Sequence, residues 1–471
     1  MDEFLRDIHT SIFKQWVLMY KEKSCHTYLD MNNHNMIHIE SEFYDGEIIF
    51  NALNIIEFSV INKVTHGVEF YLHFQMNTMK HALDLFFEMT ECIQTLIHTP
   101  TFKVLLSCSG GLTTSYFASQ INDAFSLLHI PYEASAVAYT KLFDVGADYD
   151  MILLAPQISY LHAKVQEILK EKMVIQIPPA VFAKYDVGAI ITLIKKEIEK
   201  SKQQREKELH PQTFTLHKSL NSHKHVLVLS IIRNSNRVHI HYRLYGTNQE
   251  MILYNEIIKQ KISIQDIYDV IDTVLTKYPY IENIGVSTPG IINQGFVTSA
   301  NINGIVDDNL VSLLASRYHQ NIVLGNDVNT AAIGYYMTQS QYSNIVGLFQ
   351  PSHYCSGAGI IINGELLLGQ HNLAGEVQYL PMDLSDDRLV LCKTSEGALE
   401  LVAKTITSII SLISPEVIVL FCEMVPDVEE LNLEIQKYIP KEYIPPIIKL
   451  DHLEEYTLLG QMVLCIQQEK S

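Results

Sequence analysis

A chain of 471 residues with 53 acidic and 34 basic side chains carries a formal net charge of −19, which argues against nonspecific contact with nucleic acid or anionic membrane. The length accommodates about two to four domains with ample core. The seven cysteines are scattered with no C-x-x-C pair, so neither a disulfide framework nor a thiolate zinc site is indicated. The acidic start MDEFLRDIHTS and the absence of a long apolar run predict a cytoplasmic protein without membrane insertion.

Residues 1–98 read as a small α+β domain of unassigned role. Helical spacing covers Met1–Lys23 and Lys80–Ile97. Between these lie the strand-like runs Met36–Ile39, Ile48–Asn54, Ile56–Asn62 and Val68–Gln75, joined by polar turns such as Asp45-Gly46. Histidines 26, 34, 38, 66, 73 and 81 show no short paired spacing and no carboxylate partners in sequence, so no metal is expected.

Residues 102–200 alternate as β-α-β-β-α-β-α, the pattern of a doubly wound parallel sheet with its chemistry at the carboxyl ends of the strands. The first strand runs through Val104, Leu105 and Leu106 to Ser107 and Cys108, and a helix begins near Thr113. Between them, Gly110 and Gly111 let the backbone curl, and the hydroxyls of Ser109, Thr113, Thr114 and Ser115 can cap the helix or donate to an anion. Such a loop at a helix N-terminus favours a bound oxyanion, and the same field lowers a thiol's pKa, which makes Cys108 a candidate nucleophile.

The stretch Cys108-Ser-Gly-Gly-Leu-Thr-Thr-Ser115 resembles the C-S-x-G-x-S-T-S loop of the lactose/cellobiose-class enzyme IIB of the bacterial sugar phosphotransferase system, with Thr113 in place of serine. Leu154-Ala-Pro-Gln157 is similar to that family's L-x-P-Q segment, and Pro178, Pro179 and Tyr185–Gly188 to its last turn, so the likeness spans residues 102–199. The resemblance implies that Cys108 accepts a phosphoryl group from an enzyme IIA. The loop Ser109, Gly110, Gly111, Leu112, Thr113, Thr114 and Ser115 would then hold the phosphoryl group, with Gln157 orienting it.

Residues 201–224 are polar and read as a linker. From 225 to 471 the succession Ser287–Gly290, Ser299–Gly304, Gly325-Asn326-Asp327, Gly357–Gly364 and Ala374-Gly375-Glu376 resembles the ROK family of sugar kinases and repressors. This implies a two-lobed ribonuclease-H-like fold of the actin/hexokinase type. Asn301, Asn326, Asp327 and Glu376 match its sugar-binding positions, with Asp327 at the general-base position. Gln378 and Tyr379 replace the glycine and histidine expected after Glu376. Ser230–Asn234 stands where a D-x-G-G-T phosphate hairpin is expected, His353–Gly359 keeps half of a second glycine-rich loop, and Phe421-Cys422-Glu423 replaces a glycine-rich strand end. Side chains where backbone must meet phosphate argue against ATP-dependent activity, and no cofactor is expected.

Three readings follow: a phosphotransferase component, a sugar-sensing regulator built on an inactive kinase fold, and an active sugar kinase, the last disfavoured by the altered phosphate loops. An IIA-type donor and a sugar or sugar phosphate are the expected partners. A membrane IIC component and a second copy of the chain are further candidates, and no nucleic-acid partner is expected because no basic recognition helix is present.

Overall fold

The computed structural model describes residues 3–468 apart from 23, 64–65, 98–101, 111, 129, 170–171, 206–213, 215, 219, 221–222, 234–236, 299–308, 352–353, 355 and 426. The chain forms two compact units. One comprises Met1–Thr101, Ser222–Gly290 and Gln294–Leu324; the other comprises Phe102–Asn221, Ile291–Asn293 and Gly325–Ser471. No helix among the described residues is long and apolar enough to cross a membrane.

The first unit is built on a ten-stranded sheet. The strands His26–Leu29, Met36–Glu40, Tyr44–Phe50, Ile55–Asn62 and Val68–Gln75 form an antiparallel meander. Its last strand joins Met251–Lys259 through the pair Tyr71↔Ile258, so the amino-terminal strands and those after residue 225 share one sheet. Alternation drives the meander: along Tyr44–Phe50 every second residue is buried. Helices Glu3–Met19 and Met79–Ile97 cover it with an aromatic layer in which Trp16 meets Phe86 edge-on at 5.1 Å between centroids.

Two sequence expectations change here. Asp45-Gly46 is not a turn but part of a strand, and the glycine there makes room for the covering helix, since a Cβ on Gly46 would come within 2.8 Å of Ile93. The reversal falls instead at Ser41–Tyr44, closed by Ser41 N–H to Tyr44 O at 2.8 Å. Carboxylate partners for the histidines do exist, brought together by folding: His38 meets Asp45 of the neighbouring strand at 3.0 Å, and His81 meets Asp269 of another helix at 2.9 Å.

In the second unit a four-stranded sheet runs in the order Tyr132–Ala138, Phe102–Cys108, Met151–Leu154, Met173–Gln176, all parallel. The chain leaves the first-formed strand, Phe102–Cys108, to one side and returns on the other. A switch point therefore lies between that strand and Met151–Leu154.

A further five-strand order appears once in each unit. Met251–Lys259, Val238–Tyr245 and Val226–Arg233 are antiparallel and are followed by the parallel Asn283–Thr288 and then by Asn321–Asn326. Glu365–Leu366, Gly357–Ile362 and Ile345–Phe349 are likewise antiparallel, followed by the parallel strands Val417–Phe421 and Ile447–Lys449. This 3-2-1-4-5 order is the ribonuclease-H-like arrangement expected for 225–471. Within the second unit, Leu105, Ile152 and Val165 share one hydrophobic cluster with Val346, Val402, Ile406 and Leu420. Ion pairs Glu167–Lys449 (2.5 Å) and Lys164–Glu430 (3.4 Å) border the same contact.

Candidate functional site

Cys108 ends its strand at the switch point, paired with Ala138 on one side, while Ser107 before it pairs with Leu154 on the other. The residue is 5% exposed, and its Sγ lies 3.3 Å from Oγ1 of the buried Thr114 in the following helix, Leu112–Leu127. Ser109, Gly110, Thr113 and Ser115 are exposed, so the loop that covers the thiol faces solvent. Gly110 does not adopt a left-handed backbone, and a Cβ there would meet nothing within 4 Å. The glycine leaves open space beside the loop instead of making a curl that other residues could not. Gly111 lies outside the described residues, and for Leu112 only the helical backbone is placed.

On the neighbouring strand, Leu154 leads through Ala155 into a 3-10 turn, Pro156–Leu161. It carries the exposed Gln157 to the same carboxyl edge as Cys108. The turn expected at Pro178–Gly188 forms the short helix Pro179–Lys184 and a left-handed Tyr185 (φ 51°), after which Asp186 Oδ1 accepts from Ala189 N–H at 3.0 Å. Tyr185 packs edge-on against Tyr116 (5.2 Å) and Phe117 (5.4 Å), which anchors the start of the cysteine-loop helix. The arrangement presents a sulfur beside a hydroxyl at a helix N-terminus, suited to holding a transferred dianion.

The second site surrounds Asp327. Asn326 caps the helix Asp327–Met337, its Oδ1 accepting from Val328 N–H (3.1 Å) and Asn329 N–H (3.0 Å). Asp327 Oδ1 accepts from Val328 N–H at 2.8 Å, yet burial pushes its carboxyl up to about 6, with Glu376 adding like-charge repulsion. Burial also raises the Glu376 carboxyl, opposed by the Gln378 amide that donates to Oε2 at 2.8 Å. Thus Gln378 does a job at its position, while Tyr379 is 62% exposed and contributes no buried contact in place of histidine. Asn301 lies outside the described residues. A buried carboxylate with a raised pKa beside a second carboxylate can accept a proton near neutral pH or hold hydroxyl groups.

At the first position expected to contact nucleotide, Asn234 lies outside the described residues. Ser230–Arg233 runs in regular ladder register, Ser230↔His241 to Arg233↔Val238. Gly359 sits where a Cβ would meet Val328 O at 2.6 Å, so helix packing alone accounts for that glycine. Phe421 meets Tyr456 edge-on at 5.9 Å, and burial pushes the Cys422 thiol up to about 12. His353 and Cys355 lie outside the described residues. Two groups, His38/Asp45/Glu47 and His239/His241/Glu256, bring ligand-type atoms within 4.8 Å of one another. In both, histidine and carboxylate are already hydrogen-bonded, His239 to Glu256 at 3.0 Å.

The PTS system lactose/cellobiose-specific IIB subunit family matches residues 103–193, and the ROK family matches residues 237–397. A lactose-specific PTS EIICB component of Staphylococcus aureus is 36% identical over 61 residues, covering 13% of this chain and 11% of that protein. An N-acetylmannosamine kinase of Yersinia pestis is 33% identical over 138 residues, covering 28% of this chain and 46% of the kinase. The chain thus spans less than half the length of either relative. Among solved structures, a ROK hexokinase from Thermus thermophilus aligns at TM-score 0.43 with 17% identity, over 52% of this chain and 99% of that one. The chain therefore joins a segment of the lactose/cellobiose-specific IIB family to a segment of the ROK family.

Proposed function

We propose that residues 102–200 form a phosphocysteine domain in which Cys108 receives a phosphoryl group from the phosphohistidine of an IIA-type protein. The carrying observation is the placement of Cys108 Sγ at the switch point, 3.3 Å from Thr114 Oγ1 under a solvent-facing loop. In the transfer, sulfur attacks phosphorus, the S–P bond forms as the P–N bond breaks, and the thiol proton ends on the imidazole. Onward transfer reverses the roles: a sugar hydroxyl attacks, the S–P bond breaks and the proton returns to sulfur. Gln157, on the same edge, would orient the phosphoryl oxygens.

Residues 225–471 are read as a sugar- or sugar-phosphate-binding domain without ATP-dependent turnover, using Asn326, Asp327 and Glu376. The close packing of Gly359 against Val328 and Asn329 supports this, because the open face of that glycine is turned to a helix rather than to a phosphate. A regulatory role is favoured over a purely structural one by the hydrophobic cluster that residues 102–200 share with 345–435. A change at Cys108 and a ligand at Asp327 act on one packed body.

Incubation with phosphoenolpyruvate, the general phosphotransferase enzymes and candidate IIA proteins should add one phosphoryl mass at Cys108. Cys108→Ser should abolish the label, and persistent labelling in that variant would place the acceptor elsewhere.

A further inference from the structure

In the first unit, the helix Glu3–Met19, the end of the strand Val68–Gln75 and the helix Ile264–Lys277 contribute side chains to a cavity of about 610 Å³. That is the size of a small-molecule site, but its lining is the reverse of the usual apolar one, with Leu275 its one aliphatic side chain.

Two of its cations are already neutralised. Arg317 pairs with Asp272, which also accepts from the Tyr318 hydroxyl at 2.8 Å. His81 Nε2 lies 2.9 Å from Asp269, a carboxylate only 5% exposed that also accepts from Gln265 Nε2 at 3.0 Å. One buried acid thus fixes an imidazole and an amide on the cavity wall. Burial by itself lowers the His81 pKa, but the hydrogen bond and charge of Asp269 outweigh it and raise the value.

Arg6 differs from both. Its guanidinium meets Asn77 Oδ1 at 3.2 Å, it forms no ion pair among the described residues, and its Nε is buried with no hydrogen-bond partner. A buried guanidinium N–H lacking an acceptor, on the wall of a polar cavity, calls for an incoming anion. The remaining lining offers amide donors and acceptors and the Asp272 carboxylate, which match neighbouring hydroxyl groups.

We propose that this cavity binds a sugar phosphate, with the phosphate on Arg6 and the sugar hydroxyls on Asn77, Gln265 and Asp272. The choice of phosphate rests on the phosphotransferase reading, in which sugar phosphates are the product. The cavity itself uses neither Cys108 nor Asp327.

Calorimetry on the full chain with glucose 6-phosphate, glucose and inorganic phosphate tests the site. Glucose 6-phosphate should bind about tenfold or more tightly than either comparison. With the Asp327 site silenced by Asp327→Ala in every protein compared, Arg6→Gln should weaken it by about tenfold and Asn77→Ala severalfold. Melting curves of the unliganded variants check that each is folded. No heat with glucose 6-phosphate up to about 10 mM overturns the proposal. Equal affinity for inorganic phosphate, or binding that Arg6→Gln leaves intact in that background, overturns it as well. Labelling of Cys108 is read separately, so failure of the phosphotransferase reading and failure of this site give different results.

Discussion

Asp327 is an acid that folding makes reluctant to ionise, since burial and Glu376 lift its carboxyl from 3.8 to about 6. In the interval between those values the folded chain holds more protons than the unfolded one, so this group's contribution to stability falls as pH rises from about 4 to 6. Above that range the penalty is complete, of order 2–3 kcal/mol. Asp327→Asn keeps a side-chain oxygen for Val328 N–H and removes the penalty. In urea titrations the variant should outlast the wild type at pH 7.5, with the advantage disappearing near pH 4. An advantage that is equal at both pH values would show that the carboxyl is not perturbed. The strand-end placement of Cys108 and Asp327 was legible in the sequence because each follows an apolar run and leads into a helix. Arg6, His81 and Asp269 were not: His81 and Asp269 stand 188 positions apart, and no local pattern announces their meeting.

At the scale of elements, the helix that carries Asp327 is locked against Leu453–Gln467 by two glycines. A Cβ on Gly460 would fall 1.8 Å from Thr330 O, and one on Gly334 would fall 2.0 Å from Tyr456 O. The backbones touch, so neither helix can accept even a methyl group without separating. Gly460→Ala gains about 1 kcal/mol of helix propensity. Overpacking against backbone should cost about 2–4 kcal/mol, so the net effect is a lower urea midpoint. A raised midpoint would mean the contact is looser than described. Strands with clear alternation or continuous burial were legible in advance, as Val68–Gln75 and Phe102–Cys108 were. Met251–Lys259 escaped notice because five of its nine residues in a near-continuous central run are only partly buried, with Tyr254, Asn255 and Glu256 breaking the apolar pattern. Asp45-Gly46 misled because a turn-type pair here serves close packing under a helix.

Over the whole molecule, sequence reading could divide the chain into successive stretches but could not see that distant stretches share cores. Alternation fixes which face of a strand is buried, not which strand lies beside it. The link between residues 102–200 and the carboxyl-terminal sheet includes Glu167–Lys449, with Lys449 mostly buried and Glu167 half exposed. Reversing either charge alone (Glu167→Lys or Lys449→Glu) sets like charges together and should cost about 0.5–1 kcal/mol; the double reversal should restore most of it. Hydrogen exchange across His162–Ile168 and Ile447–Lys449 reads the coupling. If both single variants exchange like the wild type, the ion pair does not link them. The two units are also interleaved along the chain, since each includes segments from before and after residue 222. During synthesis the segment of the second unit that holds Cys108 ends at Asn221, yet its cluster partners begin at Val346, about 125 residues later. At about 5–20 residues per second, the ribosome leaves that apolar face waiting for roughly 6–25 s. The order in which the chain is made is therefore not the order in which it can close, and the nascent protein depends on whatever shields that face until the last third has emerged.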